Sequence, residues 1–552
     1  MRDLLNNLYL NKFMLYFNTV KYLKVKQIFF RIYYSFFRPS IKPTKRNFAP
    51  CRNPYWVTHK LFPEKINKNF ETSFIGVSHK LDLPSDWNCI RYGKLWLYNL
   101  HYFDDFVSFN SHNKYEFHLF LLDNWISNNS VGDGCGWDSY TISLRFVNVF
   151  KAFHAGLNLY NVHFQSLYDQ ANFLSKNLEK HLLGNHYFVN LKALLFASIF
   201  FENSDWYKVS ISCLESEICE QILDDGVNYE LSPMYHSLIL VDMLDIYNLC
   251  LSYPNVIPSS FKRLVHSKIS KMLDFMLIAS HNDDGVSFFN DSVNGVAPTQ
   301  NVIISYAKLL GFDIKAINYY SKNFWHFKNS GYMVATDSGN KLLFDACNVG
   351  PDYIPGHAHA DTLSFELSIG NERVFVNSGI SQYGLGAQRL NERKTLSHNT
   401  VEVDGLDSSQ VWSSFRVAKR ACITESCAKF VGSKVEFSAC HNGYYKIYGG
   451  PNHKRTLLLG DSSLQVKDEL DGPFHQAIAR FYLHPDLVVS LENNNLRVVG
   501  NHFELFADLT GHQAALAKSN WHPGFGISQQ NNCLEITFSN PYSQLEFTWN
   551  VK

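Results

Sequence analysis

The chain has no CxxC pair, although it carries 11 Cys among 552 residues. That odd, scattered set excludes both a disulfide framework and a zinc ribbon, and leaves mostly reduced, buried thiols as the expectation. It has no excess of either charge: 50 Lys and Arg balance 50 Asp and Glu, for a formal net charge of +0. Without a basic field and without a nucleic-acid motif, no nucleic-acid partner is expected, and an anionic polymer would have to be held by a local cleft. Low-complexity segments and short internal repeats are also missing. So is a clean secretory pattern. The opening "MRDLLNNLYLNKFMLYFNTVKYLKVKQIFFRIYYSFFRP" lacks an apolar core followed by a small-residue cleavage site. Lys21, Lys24, Lys26 and Arg31 break it too often for a membrane span. Two readings of this basic, aromatic stretch stay open: a helix making peripheral contact with a membrane surface, or helices docked on the domain that follows, which is the simpler.

What is present is enough apolar material for large cores: 46% hydrophobic residues against 18% charged. The length calls for two or three domains. From about residue 95 to 325, apolar residues recur at three- and four-residue spacing, as in "EFHLFLLDNWISNN", "SLRFVNVFKAFHAGLNLY" and "LILVDMLDIYNLCLSY". The linkers between these stretches carry Gly, Asn, Asp and Pro. Helical hairpins curled into a toroid are expected, with their loops gathered at one end. Beyond about residue 328 the period becomes two. "KLLFDACNV", "TLSFELSIG", "SKVEFSACH", "YKIYGG", "KRTLLLG" and "SQLEFTWNV" read as strands of an antiparallel sandwich. The expected fold class is α+β multidomain: an N-terminal segment over 1–60, an (α/α) toroid over 61–328 and an antiparallel β-sandwich over 329–552.

Three clusters carry chemistry. Asn185 and His186 in "LLGNHYFVN" precede a helix; the Asn is either a helix cap or, with the His, a donor to an oxyanion. Tyr235 and His236 in "YELSPMYHS" are either packing residues or the place of a Tyr base, whose pKa, near 10 when free, would have to be lowered by neighbouring cations or donors. His357, His359 and Asp361 in "YIPGHAHADTLSFELS" open a strand, and alternation would put all three on one side. With Asn377 and His398 from neighbouring strands they are either a hydrogen-bonded network at a sheet edge or a Zn²⁺ site, in which neutral Asn377 is a poor ligand.

Taken in order, "GNHYFVN", "DGVNYELSPMYH", "GHAHADTLSFEL", "NSGISQYG" and "SHNTVEVDG" resemble the heparinase II/III-like family of polysaccharide lyases. The resemblance covers roughly residues 95 to 460, and "LHYFDDF" further resembles relatives encoded with surface-polysaccharide genes. It implies an (α/α) toroid followed by a β-sandwich, and β-elimination on a uronic-acid-containing glycan, an acidic polysaccharide. By resemblance Asn185, helped by His186, neutralises the substrate carboxylate, while Tyr235 and His357 serve as base and acid, with Tyr383 sharing that work. His359 and His398 would hold a structural zinc, with Asn377 where the family usually has Asp. Trp137, Tyr140, Arg145, Glu230, His236, Arg389 and Arg393 could line the cleft, since aromatics stack on sugars and Arg forks pair with carboxylate or sulfate. The family suggests the cell envelope or periplasm, and the opening residues leave the cytoplasm or a membrane surface equally open. Two other readings compete. One is a non-catalytic glycan-binding or assembly protein on the same fold; the other is a glycoside hydrolase recruiting Asp224, Asp225 or Glu230.

Overall fold

The computed structural model describes residues 12–37, 39–43 and 45–552; the first eleven residues of the basic, aromatic segment lie outside them. The helices after residue 90 fall into two kinds. Ser139–His154, Gly184–Phe200 and Pro233–Ser252 are buried on nearly every face, because their apolar residues run all round the helix. Asn161–Lys176, Ser204–Gln221 and Ser259–Ala279 bury one stripe and leave the rest to solvent. A helix apolar all round needs neighbours on every side, so the first three form an inner layer and the others wrap them, giving an (α/α) toroid. Its core includes Trp96, Trp125, Phe150, Phe196 and Leu244.

An antiparallel β-sandwich follows. One sheet has eight strands; in the other, Gln513–Trp521, Gln529–Thr537, Ala477–Leu483, Glu372–Phe375, Phe365–Ile369, Asn340–Asp345, Tyr332–Asp337 and Asn323–His326 lie side by side. Alternate residues such as Val435, Phe437 and Ala439 on the first sheet meet Phe344, Phe365 and Leu367 on the second. Tyr332–Asp337, Asn340–Asp345 and Phe365–Ile369 are instead buried on both faces. Their outer face packs on the toroid, where Tyr332, Val334 and Leu343 meet Val227, Leu231, Phe275 and Ile278. That contact welds the two units and brings the inner-helix N-termini against the sandwich loops.

Several sequence expectations are corrected. "YKIYGG" is no strand: Gly443–Tyr448 is a short helix, closed by Gly449 at φ 76°. The strand after "HAHAD" begins only at Phe365, so His357, His359 and Asp361 sit on irregular chain and alternation does not govern them. The 11 cysteines are all free, but only Cys250, Cys347 and Cys533 are buried, and Cys51, Cys219 and Cys427 are exposed.

The N-terminal helices, residues 12–20 and Val25–Phe36, are docked. Gln27 Nε2 donates to the carbonyls of Leu182 (3.1 Å) in the toroid and Tyr353 (3.2 Å) in a sandwich loop. Tyr34 Oη donates to Leu178 O at 2.9 Å, and Trp412 Nε1 to Thr19 Oγ1 at 3.1 Å. Among the described residues no helix is long and apolar enough to cross a membrane.

Candidate active site

The inner helices deliver their first turns to one cleft of about 1480 Å³, lined by Tyr140, Asn185, His186 and Tyr235 from the toroid and by His357, Tyr383 and Phe415 from the sandwich. Tyr140, Tyr235 and Tyr383 also line a second cavity of about 360 Å³, walled by toroid residues and by Gly524, Phe525 and Ile527 of the sandwich, so they stand between the two spaces.

Asn185 lies one residue inside its helix. The flanking Leu183 (φ 66°) makes no side-chain cap, and Gly184 is left-handed at φ 59°. A Cβ on Gly184 would come 2.7 Å from Ile354 Cδ1 and 3.1 Å from Glu230 Oε1, so the glycine is required there. Replacing Gly184 by Ala should therefore destabilise by about 1 kcal/mol or more, checked by urea unfolding. The Asn185 N–H donates to Glu230 Oε1 at 3.1 Å, while its side-chain amide caps nothing and lines the cleft. His186 Nδ1 meets Glu179 Oε1 at 3.1 Å, with its ring 4.4 Å from that of Tyr140. Burial alone would lower the His186 pKa, but the charge and hydrogen bond of Glu179 outweigh it and the net direction is up.

Tyr235 follows Ser232, whose Oγ accepts its N–H at 3.1 Å, and Pro233 at the helix start. Its ring stacks on His357 with centroids 3.8 Å apart, and its hydroxyl is 3.1 Å from that of Tyr383. Burial, then the neighbouring Tyr383, pushes the Tyr235 pKa well above 10, so the resting group is a neutral phenol. His357 Nδ1 is 2.8 Å from Asp291 Oδ2, and its Nε2 is 3.6 Å from Glu230 Oε2.

Asp291, in "FFNDSVNG", went unread in the sequence, where an Asp in a polar loop carries no distinguishing signal. It is the hub of the site. Its two oxygens take His357 Nδ1 (2.8 Å), His359 Nε2 (2.7 Å) and the fork of Arg389, with Nη2 at 2.7 Å. Burial alone would raise its pKa, but the Arg389 charge and the two imidazole hydrogen bonds hold it well below the usual carboxylate range.

Behind the cleft, His359, Asp361 and His398 bring one ligand atom each within 4.8 Å of one another, all buried. His359 Nδ1 and His398 Nε2 are 3.2 Å apart. Two nitrogens bound tetrahedrally to one zinc sit roughly 3.4 Å apart, so the spacing fits. Burial pushes the His359 pKa down to about 4 and that of His398 well below 6.5, so both are neutral near pH 7, as a metal requires. His359 Nε2 against Asp291 is the outer-shell carboxylate such a ligand usually has. The carboxylate in this cluster is Asp361, raised to about 6 by burial. Asn377 is placed otherwise: its Oδ1 accepts from Asn399 N (3.0 Å) and its Nδ2 faces Ser364 Oγ (3.4 Å).

The remaining sequence candidates divide. Tyr140 lines the cleft and Glu230 buttresses Asn185 and His357. Trp137 is mostly buried against Trp125 and Phe173, showing only an edge. Arg145 does not reach the cleft: it is fully buried, bonding Gln170, His101 O and Gly136 O. His236 is likewise structural, joined to Asn228 N and Met272 O. Arg389 is committed to Asp291 behind Tyr383, and Arg393 to the carbonyls of Ala358, Ser413 and Arg416. Arginine is the residue that spacing most readily misassigns, because a buried fork on carbonyls and an exposed one on substrate look alike in sequence. Asp224 is exposed and Asp225 caps the turn at Asn329 and Ser330, so no second carboxylate faces Glu230 from there.

Residues 91–315 match the family description Heparinase II/III N-terminus, and residues 320–550 match Heparinase II/III-like, C-terminal. A heparin-sulfate lyase of Bacteroides stercoris is 26% identical over 334 residues, covering 55% of this chain and 46% of that protein. A heparin-sulfate lyase of Pedobacter heparinus is 26% identical over 263 residues, 43% of this chain and 38% of that protein. The matched segments thus span less than half of either relative. Among solved structures, a crystal structure of heparinase III superposes with a TM-score of 0.65 at 16% identity, over 94% of this chain and 88% of that one.

Proposed function

Because the chain belongs to the heparinase II/III-like family, we propose that it is a polysaccharide lyase cleaving a uronic-acid-containing glycan by β-elimination. The observation that carries the reading is the convergence of Asn185, Tyr235 and His357 on one cleft, with His357 Nδ1 pinned to Asp291.

An ionised carboxylate makes the adjacent C5–H too weakly acidic to remove. The Asn185 amide, beside His186 whose protonated form Glu179 favours, hydrogen-bonds that carboxylate and stabilises the charge that spreads onto it as the proton leaves. His357 Nε2 takes the C5 proton, and Asp291 stabilises the imidazolium that results. The C4–C5 double bond forms, the C4–O bond breaks, and Tyr235, a neutral phenol at rest, gives its proton to the departing oxygen. The proton taken up by His357 is then released. The Tyr235 phenolate regains a proton by way of Tyr383, 3.1 Å away, which is itself reprotonated in turn, so that all three groups return to their starting state. His359, Asp361 and His398 would hold zinc behind this wall, where a bound cation ties the His359 loop to the sandwich and leaves the proton transfers to the side chains.

Removing only the Tyr235 hydroxyl, as Phe, should lower kcat about 10²-fold with the fold intact, the usual scale for a proton-transfer group. The assay is the ultraviolet chromophore of the unsaturated uronate across a panel of polyuronates. Near-normal turnover in the variant would take Tyr235 out of the mechanism. Sugar release without the chromophore would favour a hydrolase, and tight binding without any product a non-catalytic glycan-binding protein. Changing Asp361 to Asn should cut zinc affinity by at least the roughly 10–100-fold that losing even an outer-shell partner costs. Zinc content after dialysis and the zinc-induced rise in melting temperature would both report it.

A further inference from the structure

The N-terminal helices do more than pack. They form a strap that contributes Tyr16, Thr19, Gln27 and Arg31 to the wall of the cleft. The charges lining that cleft can be paired off. Asp138 is 2.9 Å from Lys94, Glu179 is 3.1 Å from His186, and Asp352 is 2.6 Å from Arg420. Two guanidiniums remain, Arg31 from the N-terminal helix and Arg416 from a sandwich hairpin. Among the described residues neither has a carboxylate partner. Arg416 is held over the rings of Trp412 (4.9 Å) and Tyr16 (5.6 Å), a contact that spans strap and sandwich. Burial and then the Arg416 charge lower the pKa of Arg31. Both side chains are exposed on the wall of the same cleft, where a bound anion can reach them.

Resting on the lyase reading, we propose that Arg31 and Arg416 form an anion subsite for a second acidic group of the polysaccharide, a sulfate or a carboxylate, distinct from the carboxylate bound at Asn185. The cleft has room for it: about 1480 Å³ exceeds the roughly 300–1,000 Å³ of a small-molecule pocket. Guanidinium forks are suited to either oxyanion. The strap thereby makes the substrate a polyanion rather than a chain with one charged sugar at the scissile bond.

The test compares wild type with Arg31→Gln, Arg416→Gln and the double variant on heparan sulfate and on an unsulfated polyuronate. Each single change is expected to raise KM about tenfold, the scale of one charged hydrogen bond. The reactive centre is untouched, so kcat should stay within about twofold, and the salt dependence of KM should weaken. A loss confined to heparan sulfate assigns a sulfate; a loss on both polymers assigns a carboxylate. An unchanged KM in the double variant on both polymers overturns the subsite. Lysine variants, which keep the charge without the fork, should fall between wild type and Gln. An equal loss in the Lys variants, with altered Trp412 fluorescence, would mean a loosened strap and would also overturn the assignment. If wild type yields no unsaturated product from either polymer, the lyase reading fails separately. Equilibrium binding of the same polymers then decides the subsite, weaker binding by the double variant sustaining it and equal binding refuting it.

Discussion

Changing Asp291 to Asn is expected to damage stability and turnover together. The carboxylate is fully buried and joins His357, His359 and the Arg389 fork. An amide keeps the shape but not the charge, and leaves Arg389 as an uncompensated buried cation. Breaking one side of such a pair costs about 3–5 kcal/mol, to be read as a lower urea midpoint. Catalysis should fall further than unfolding explains. An Asn that turns its NH₂ toward His357 moves the imidazole proton to Nε2, where it blocks abstraction of the C5 proton; for an Asp-to-Asn change of this kind in a catalytic triad the loss is about 10⁴-fold. Adding Arg389→Gln separates the two effects. The double variant should regain much of the midpoint, because no buried charge is left unpaired, while kcat stays low. Recovery of kcat along with stability would show that Asp291 serves the fold alone.

Asn185→Ala should lower kcat by about 10²–10³-fold, the scale seen when one donor to a developing oxyanion is removed. The effect should fall on kcat more than KM, since the interaction strengthens as charge moves onto the carboxylate. Stability should hardly change. The helix begins at Gly184 after Leu183, and the Asn185 side chain caps no backbone amide. A lost cap would instead cost about 0.5–2 kcal/mol and leave kcat alone. A fall in melting temperature with unchanged kcat would restore the capping role.

The sequence by itself determined the two architectures, because each has a period that burial enforces. Helices apolar on every face, such as Gly184–Phe200 and Pro233–Ser252, have to lie inside a second layer. Strict alternation, as in Lys434–His441, demands one sheet face in a core. Of the cleft residues, Asn185 and Tyr235 were legible because each stands in a motif at a helix start, whereas His357 was legible only from its motif, on irregular chain before the strand at Phe365. Local chain already decided where those elements begin: Gly184 for its left-handed turn, Ser232 and Pro233 for their cap and first turn. "YKIYGG" misled because a short apolar run has no period long enough to separate helix from strand.

Only the tertiary structure decided which side chains meet. Asp291 lies 66 residues from His357 and 98 from Arg389, and nothing local marks it as the carboxylate they share. The buried forks of Arg145 and Arg393 bond carbonyls that long-range packing brought to them, so their charge pointed to substrate only until their surroundings were known. Asp361 joins His359 and His398 in one buried cluster although irregular chain before Phe365, not strand alternation, carries it there. The N-terminal strap likewise became part of the cleft wall. Hydrophobic patterning is written along the chain, whereas pairing of charges and hydrogen bonds depends on distances that exist only after the two units have packed.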